Sequence, residues 1–230
     1  MSAIIYHQCR TDMYKTISAA LFAVALVCAY FVYHAIMGPV RFDKQRDERY
    51  KAAVAKLIRI RDAELAYKTI NGQYTGDFQA LFQFLDTAAF VLTSRRDTAF
   101  QVYDKVYRID RQVDSVIVDT LGFQSVKDSL FSDYDYRQLE IVPFTQGAKF
   151  ELKADSLEKN AMLNPVFYAR VNKRVLLIGL DAQRIEEDII APTVAVQGTY
   201  LQVGDLKKVT TSGNWPKNLE PDYRASADQP

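Results

Sequence analysis

The segment ISAALFAVALVCAYFVYHAIM, residues 17–37, decides how the rest of the chain is organised. It contains no Lys, Arg, Asp or Glu. As a helix it would extend about 31 Å, which matches a hydrocarbon core of about 30 Å. Tyr30 and Tyr33 lie toward its second end, where aromatic side chains commonly meet the lipid headgroups. The segment is also longer than the apolar region of a typical cleaved signal peptide. The sequence therefore predicts a tail at 1–16 and one uncleaved transmembrane helix at 17–37, with the lipid bilayer as a partner.

The charges around this segment leave its orientation open. Arg10 and Lys15 precede it, whereas the twenty residues that follow it contain more Lys and Arg. Taken alone, the positive-inside rule favours a cytoplasmic C-terminal domain. The rule is weak for a short tail that leads into a long domain, because long domains can translocate largely regardless of charge.

A second helix is predicted after the membrane segment. Gly38 and Pro39 are expected to break or bend the first helix. Residues 43–70 then contain neither Gly nor Pro, and apolar residues recur at spacings of three and four, which is typical of one helix face. We expect the later β-rich part to cover the second half of this face and a partner helix to cover the half nearer the membrane. The predicted packing or partner interface consists of Tyr50, Leu57, Ile60 and Tyr67.

The remaining sequence predicts an α+β fold with a mainly antiparallel, β-rich domain at 38–212 and a polar C-terminal tail at 213–230. Phe150 and Leu152 alternate with charged residues, as in a half-buried strand. Residues 100–110 fit a helix almost as well as an edge strand. Helical segments are predicted at 78–85, 125–131 and 181–190, strands at 116–121, 165–171, 175–178, 200–203 and 206–210, and a hairpin at 139–154.

The stretch AELAYKTINGQYTGDFQALFQFL, residues 63–85, resembles type IV pilins and pseudopilins. In those proteins a long N-terminal helix ends in an aromatic residue, an Asn-Gly turn with a following tyrosine, and a short Leu-rich helix. The matching residues are Tyr67, Asn71, Gly72, Tyr74 and Thr75, followed by Phe78 and Leu81. The resemblance implies a pilin-like organisation. The pilin processing site, which needs a Gly and a Glu, has no counterpart in residues 13–26.

A wider resemblance covers nearly the whole chain. GPVRFDKQRDERY (38–50), KLIRIRDAELAYK (56–68) and VGDLKKVTTSGNW (203–215) resemble uncharacterised single-pass membrane proteins of Bacteroidota. This resemblance implies a bacterial inner-membrane protein with its C-terminal domain in the periplasm.

No residue set in the sequence indicates a reaction centre, a metal site or a cofactor. His7 and His34 are the two histidines, and both precede the domain. The acids Asp128, Asp133 and Asp135 lack the spacing of an EF-hand loop. Asp62 and Glu64 lie two positions apart on a helix and are predicted to be surface charges.

The charge balance also argues against nucleic-acid binding. The chain has 29 Lys and Arg against 28 Asp and Glu, and its basic doublets form no stripe. We therefore expect a non-enzymatic, membrane-anchored structural subunit of an envelope assembly, pilin-like or secretion-associated. Its partners would be other membrane or envelope proteins or further copies of itself. The alternative is a periplasmic ligand-binding or sensor module that relays to a membrane partner, with a pocket lined by Tyr103, Tyr107 or Tyr168.

Overall fold

The computed structural model describes residues 2–104, 109–132, 134–159, 161–190 and 196–221. It confirms the α+β class, with a long N-terminal helix followed by antiparallel sheets. In chain order the helices and strands are α1 (Ser2–Asn71), α2 (Phe78–Thr87), β1 (Ala89–Asp104), β2 (Ile109–Ser125), α3 (Val126–Leu130), β3 (Glu151–Lys159), β4 (Met162–Asn172), α4 (Lys173–Leu176), α5 (Ala182–Ile190) and β5 (Tyr200–Gly204). Short 3-10 turns lie at Tyr136–Gln138 and Lys217–Leu219.

Helix α1 is continuous over 70 residues and includes Pro39. The break expected at Gly38 and Pro39 is therefore absent. A proline removes one backbone hydrogen bond, and the burial of the following half of α1 in the domain outweighs that loss. Within Ala20–Asn71 this helix is long and apolar enough to cross a membrane, with a window of mean hydropathy 2.1 that is not buried in the protein.

A left-handed glycine and a buried ring shape the connection from α1 to α2. Gly72 has φ +77°, and its N–H donates to Lys68 O at 2.8 Å, which closes the last turn of α1. The ring of Tyr74 then packs on Phe167 of β4, with centroids 4.5 Å apart. Asp77 caps α2 by accepting from Gln79 N at 3.1 Å. The predicted short helix is confirmed, and its apolar face turns toward the core.

The strands form two separate antiparallel sheets. In the first, β1 pairs with β2 from Ala89↔Ser125 to Asp104↔Ile109, with an irregularity after Leu92. At about 3.3 Å per residue this hairpin is roughly 50 Å long. The second sheet has the order β3-β4-β5, so β4 is its central strand. The second sheet contacts α1 directly through β4 and β5, whereas the first sheet joins α3, which in turn contacts α1 and α2.

One hydrophobic core joins the second half of α1, helix α2 and the β3-β4-β5 sheet. Helix α1 contacts both β4 and β5. Gly204, at the end of β5, has φ +74°, and a Cβ there would lie 2.2 Å from Phe167 O, so this close strand contact requires glycine. Fully buried side chains of this core include Leu57, Ile58, Leu81, Leu85, Phe167 and Leu201.

Most of the predicted helices and strands are confirmed. The helix predicted at 78–85 lies in α2, and the helices predicted at 125–131 and 181–190 correspond to α3 and α5. The strands predicted at 165–171 and 200–203 lie in β4 and β5. Residues 116–121 lie within β2. The ambiguous stretch 100–110 is strand up to Asp104 and again from Ile109, and the residues between lie outside the described part of the chain.

Two strand predictions are wrong, because local side-chain caps compete with the apolar pattern. Residues 175–178 lie in α4 and the turn after it, where Asn172 Oδ1 accepts from Arg174 N at 2.9 Å. Residues 206–210 form turns that begin with Asp205 Oδ1 accepting from Lys207 N at 2.9 Å. The hairpin predicted at 139–154 is present in a short form, with the antiparallel bridge Ile141↔Lys149 and with Val142 N donating to Ala148 O at 2.7 Å and Phe150 N to Glu140 O at 2.9 Å. The residues from Glu151 onward pair with β4 as β3.

The start of the predicted polar tail belongs to the folded domain. Trp215 and Leu219 are buried in the core, and Trp215 Nε1 donates to Glu220 Oε1 at 3.3 Å. The boundary at 213 is therefore placed too early in the chain. Residues 222–230 of the predicted tail lie outside the described residues.

Candidate interaction surfaces

The predicted interface on α1 is covered by the chain's own domain. Tyr50, Leu57 and Ile60 are fully buried, and Tyr67 is half-buried with its ring centroid 4.9 Å from that of Phe84. The expectation that a partner helix covers the half nearer the membrane is wrong at Tyr50, since α5 of the same chain lies there. These four residues therefore hold the domain on α1.

A buried cluster of charged groups, centred on Asp188 of α5, makes the main polar contact with α1. Arg46 Nη1 donates to Asp188 Oδ1 at 3.2 Å, and the Tyr50 hydroxyl donates to Asp188 Oδ2 at 2.7 Å. Arg46, Asp188 and Lys173 are all almost fully buried. Because a buried charge without partners is costly, these groups stabilise the fold only together. We call Arg46, Tyr50, Lys173 and Asp188 the Asp188 cluster.

Lys173 completes the Asp188 cluster from the start of α4. Its Nζ lies 3.5 Å from Asp188 Oδ2 and donates to Val196 O at 2.6 Å. Burial lowers the pKa of Lys173, and the neighbouring Asp188 carboxylate opposes that shift. Burial and the hydrogen bond to Asp188 both raise the pKa of Tyr50, so its hydroxyl stays protonated and acts as a donor. The cluster has the partners expected of a structural ion network.

Two further contacts tie α4 and α5 to α1. Arg49 Nη1 donates to Leu176 O at 3.1 Å and to Ile178 O at 2.7 Å, which satisfies carbonyls at the end of α4. Arg184 Nη2 lies 3.4 Å from the position that a Cβ at Gly38 would occupy. The domain is thus held on α1 from just past the apolar segment to the end of the helix.

Glu64 is a buried carboxyl group, so the prediction of a surface charge is wrong. Its Oε2 accepts from Thr75 N at 3.0 Å, and its Oε1 has no hydrogen-bond partner among the described residues. The cause is the turn at 71–76, which folds back over α1 and covers this position. Burial raises the pKa of Glu64 to about 8, although the Thr75 N–H partly opposes the shift.

The β1–β2 hairpin is the largest exposed feature of the domain, and we call it the arm. No described side chain in 91–101 or 114–124 is buried. Both faces nevertheless carry large apolar groups, among them Val91, Phe100, Val118, Leu121 and Phe123. A two-stranded sheet by itself is marginally stable in water, and exposed apolar patches commonly mark contact sites. The arm is therefore the surface best suited to bind another protein.

Two open grooves are the candidates for a small ligand. One, of about 460 Å³, is lined mainly by the turn at 144–146 and by Val175, Ile178 and Gly179. The other, of about 280 Å³, lies between Tyr74, Pro165 and residues 209–212. Tyr168, named above as a possible pocket residue, lines neither groove. Its hydroxyl donates to Glu151 Oε1 at 2.7 Å. The side chains of Tyr103 and Tyr107 lie outside the described part of the chain.

Among the described residues, the other acidic and basic residues considered in the sequence lie apart or pair within the chain. Within the described ranges, no three His, Cys, Asp or Glu side chains are grouped closely enough to hold a metal ion. Of the basic doublets, Arg96 pairs with Asp119 at 2.9 Å, Lys173 is buried, and Arg174 Nε pairs with Glu186 Oε1 at 2.6 Å. These positive charges are neutralised by neighbours within the chain.

The Asp188 cluster was missed in the sequence, although a signal was present. Asp188 lies between Ile185 and Ile189 on the apolar face of α5, where a charged residue requires a partner. Arg46 lies one turn before Tyr50 on the buried face of α1. The sequence does not say that these two positions meet.

Comparison of the chain with protein-family models, curated proteins and solved structures finds no match.

Proposed function

We propose that this protein is a non-enzymatic, membrane-anchored structural subunit of a bacterial envelope assembly, pilin-like or secretion-associated. In this proposal the apolar part of α1 spans the inner membrane and the domain lies in the periplasm. The observation that carries the proposal is the exposed arm, about 50 Å long at 3.3 Å per residue, on a domain held against a helix able to span a membrane.

The contacts between α1 and the domain support a structural role. The Asp188 cluster and the buried stripe of α1 attach the domain over many turns of the helix. A force on the arm, or a displacement of it, would therefore be transmitted through the packed domain to the apolar part of α1. Such a rigid connection suits a subunit of an assembly.

The alternative, a periplasmic ligand-binding or sensor module, has one feature in its favour. The groove beside Phe144 presents apolar side chains, and Arg49 lies over the Phe144 ring at 5.7 Å from its centroid. Arg49 also donates to Ile178 O, so two residues that line the groove, Phe144 and Ile178, each contact a residue of α1. A monomer that purifies with a small molecule in this groove would favour this alternative.

Shortening the arm tests the structural proposal. Removing residues 97–116, which face each other from Asp97↔Val116 to the tip, and joining Arg96 to Ile117 through Asn-Gly keeps the register of the root. We expect the intact chain to purify from mild detergent with stoichiometric membrane partners and the shortened chain to lose them. Far-UV circular dichroism and membrane retention are the controls for folding. Equal recovery of partners with both chains, or none with the intact chain, would contradict the proposal.

A further inference from the structure

The two outer edges of the arm differ in how open they are to another strand. Neither edge pairs with a further strand among the described residues. The middle of β1 carries Arg95, Arg96 and Asp97, and charged side chains on an edge strand disfavour further pairing. The middle of β2 carries Val116, Ile117 and Val118, which are 41%, 36% and 59% exposed. Three consecutive β-branched residues favour strand pairing, so β2 presents the open edge.

The sequence around this open edge is self-complementary. Residues 114–120 are DSVIVDT. If two copies pair antiparallel with Ile117 opposite Ile117, then Val116 faces Val118. Ser115 then faces Asp119, and Asp114 faces Thr120. Each carboxylate meets a hydroxyl that can donate to it, and no like charges are directly opposed.

The two neighbouring registers are both less favourable. A shift by one residue, with Val116 opposite Ile117, would place Asp114 directly opposite Asp119. Like charges opposed across a strand pair are destabilising, and the shift would also lose the hydroxyl partners of both carboxylates. A shift by one residue in the other direction, with Ile117 opposite Val118, opposes no like charges, but it places Asp119 opposite Val116 and Asp114 opposite Leu121. Of these three registers, the one centred on Ile117 is therefore the one that gives each carboxylate a hydroxyl partner.

We propose that two copies of this chain associate through the outer edge of β2, with residues 114–120 paired antiparallel about a twofold axis at Ile117. The proposal deepens the proposed function, since it names the partner of the arm, and it rests on the arm being a contact surface. Pairing would convert two marginal ribbons into one sheet of order β1-β2-β2-β1. The charged β1 strands would then form both outer edges, so the association would close at two copies.

Single cysteines in the full chain test this register. Cys9 and Cys28 are first replaced by Ser to give a chain without thiols, and Ile117→Cys is then introduced. Directly opposed residues of an antiparallel pair lie about 4.5–5.5 Å apart at Cα, which permits a disulfide. We expect mild oxidation of the Ile117→Cys chain in nanodiscs to give a species of twice the 26.2 kDa chain mass.

Matched cysteine variants on β2 and β1 distinguish pairing in the proposed register from disulfides formed by random collision between chains. Ser115→Cys or Asp119→Cys alone places the two thiols about 13 Å apart along the strand, so neither should crosslink, whereas a mixture of the two should. Asp97→Cys on the β1 edge should not crosslink, because the proposed pairing leaves the two β1 strands at opposite outer edges. Crosslinking of Ser115→Cys or Asp97→Cys to the same extent as Ile117→Cys would overturn the proposal.

Native mass measurement of the unmodified chain provides a second test that does not depend on any variant. Dimers support the proposal, and monomers alone overturn it. If the Ile117→Cys chain in native membranes crosslinks to a different protein while the unmodified chain is monomeric, self-pairing fails and the proposed structural role stands. If dimers form but the chain without residues 97–116 is recovered with the same other membrane proteins as the intact chain, the self-pairing stands and the wider assembly role fails.

Discussion

Glu64 lies inside the core with one carboxyl oxygen bonded to Thr75 N and the other without a partner in the described structure. Its pKa is about 8 in the folded protein, against 4.5 for the exposed group. Below pH 4.5 the carboxyl is protonated in both states. Between pH 4.5 and 8 the unfolded chain loses this proton while the folded chain keeps it. The free energy of unfolding therefore falls over this interval, by up to about 5 kcal/mol at 1.36 kcal/mol per pKa unit.

Replacing Glu64 with Gln removes this pH dependence. We expect Glu64→Gln to be more stable than the natural chain at pH 8 and close to it at pH 5, because Gln carries no proton to lose. Thermal unfolding followed by circular dichroism in detergent at both pH values measures the difference. Glu48→Gln, at an exposed position of the same helix, is the matched control. If the two variants show the same pH dependence, the buried state of Glu64 is wrong.

Asp188 gives a second prediction at the scale of one residue. Asp188→Asn removes the negative charge that faces Arg46 and Lys173. Arg46 keeps its ion pairs with the partly exposed Asp43 and Asp47, whereas the buried Lys173 loses the Asp188 carboxylate. We expect a loss of about 3–5 kcal/mol in the free energy of unfolding. Urea unfolding measures it, with Glu186→Gln on the same helix as the control. Glu186 pairs with Arg174 on the surface and should matter much less. Similar losses for both would argue against the Asp188 cluster as a buried network.

At the scale of the element, α1 has two parts with different surroundings. The part at 20–35 is exposed in the isolated protein, whereas Leu57 and Ile60 in the second part are fully buried. The same helix can therefore meet lipid along one length and the domain along the next. No loop separates the apolar part of α1 from the part that the domain covers, and Pro39 lies inside the continuous helix between them.

Two leucines on α1 test this division of its surface. Leu57→Ala should cost about 2–5 kcal/mol, since it opens a cavity in the core. Leu65→Ala, at a position 37% exposed, should cost clearly less. The unfolding midpoints of the two variants in one detergent give the comparison. If both cost the same, the buried face of α1 has been assigned to the wrong residues.

The arm shows how an element can be regular in itself and still incomplete. Its sixteen paired positions satisfy the inner backbone groups of both strands. The outer edges and most apolar side chains remain exposed. The contacts within the single chain therefore do not account for the length of the arm, whereas the proposed contact with a second copy would.

At the scale of the whole molecule, the proposed orientation makes a topology prediction. Alkaline phosphatase fused after Pro230 should be active, because that enzyme requires export, and a fluorescent protein that folds only in the cytoplasm should be dark at the same site. The same fluorescent protein fused before Met1 should be bright. The reverse pattern would show that Lys and Arg after residue 40 keep the domain in the cytoplasm, as the positive-inside rule alone suggests.

The local sequence by itself determined the apolar segment, the amphipathic continuation of α1, the turn at Asn71-Gly72 and the positions of α2, α5, β4 and β5. Each depends on interactions between residues a few positions apart, such as helix periodicity, caps and strand alternation. The errors at 175–178 and 206–210 arose where an Asn or Asp cap outweighed an apolar run.

Only the tertiary structure decided which residues meet across the chain. Asp188 and Arg46 are 142 positions apart, and Glu64 is buried only because the turn at Thr75 folds over it. The same holds for the exposure of the arm, since a strand with apolar residues on both faces commonly lies within a core. Whether a side chain is buried depends on which distant parts of the chain pack over it. In this protein α1, α2 and the second sheet complete the core without the arm, and β2 is left open to a partner.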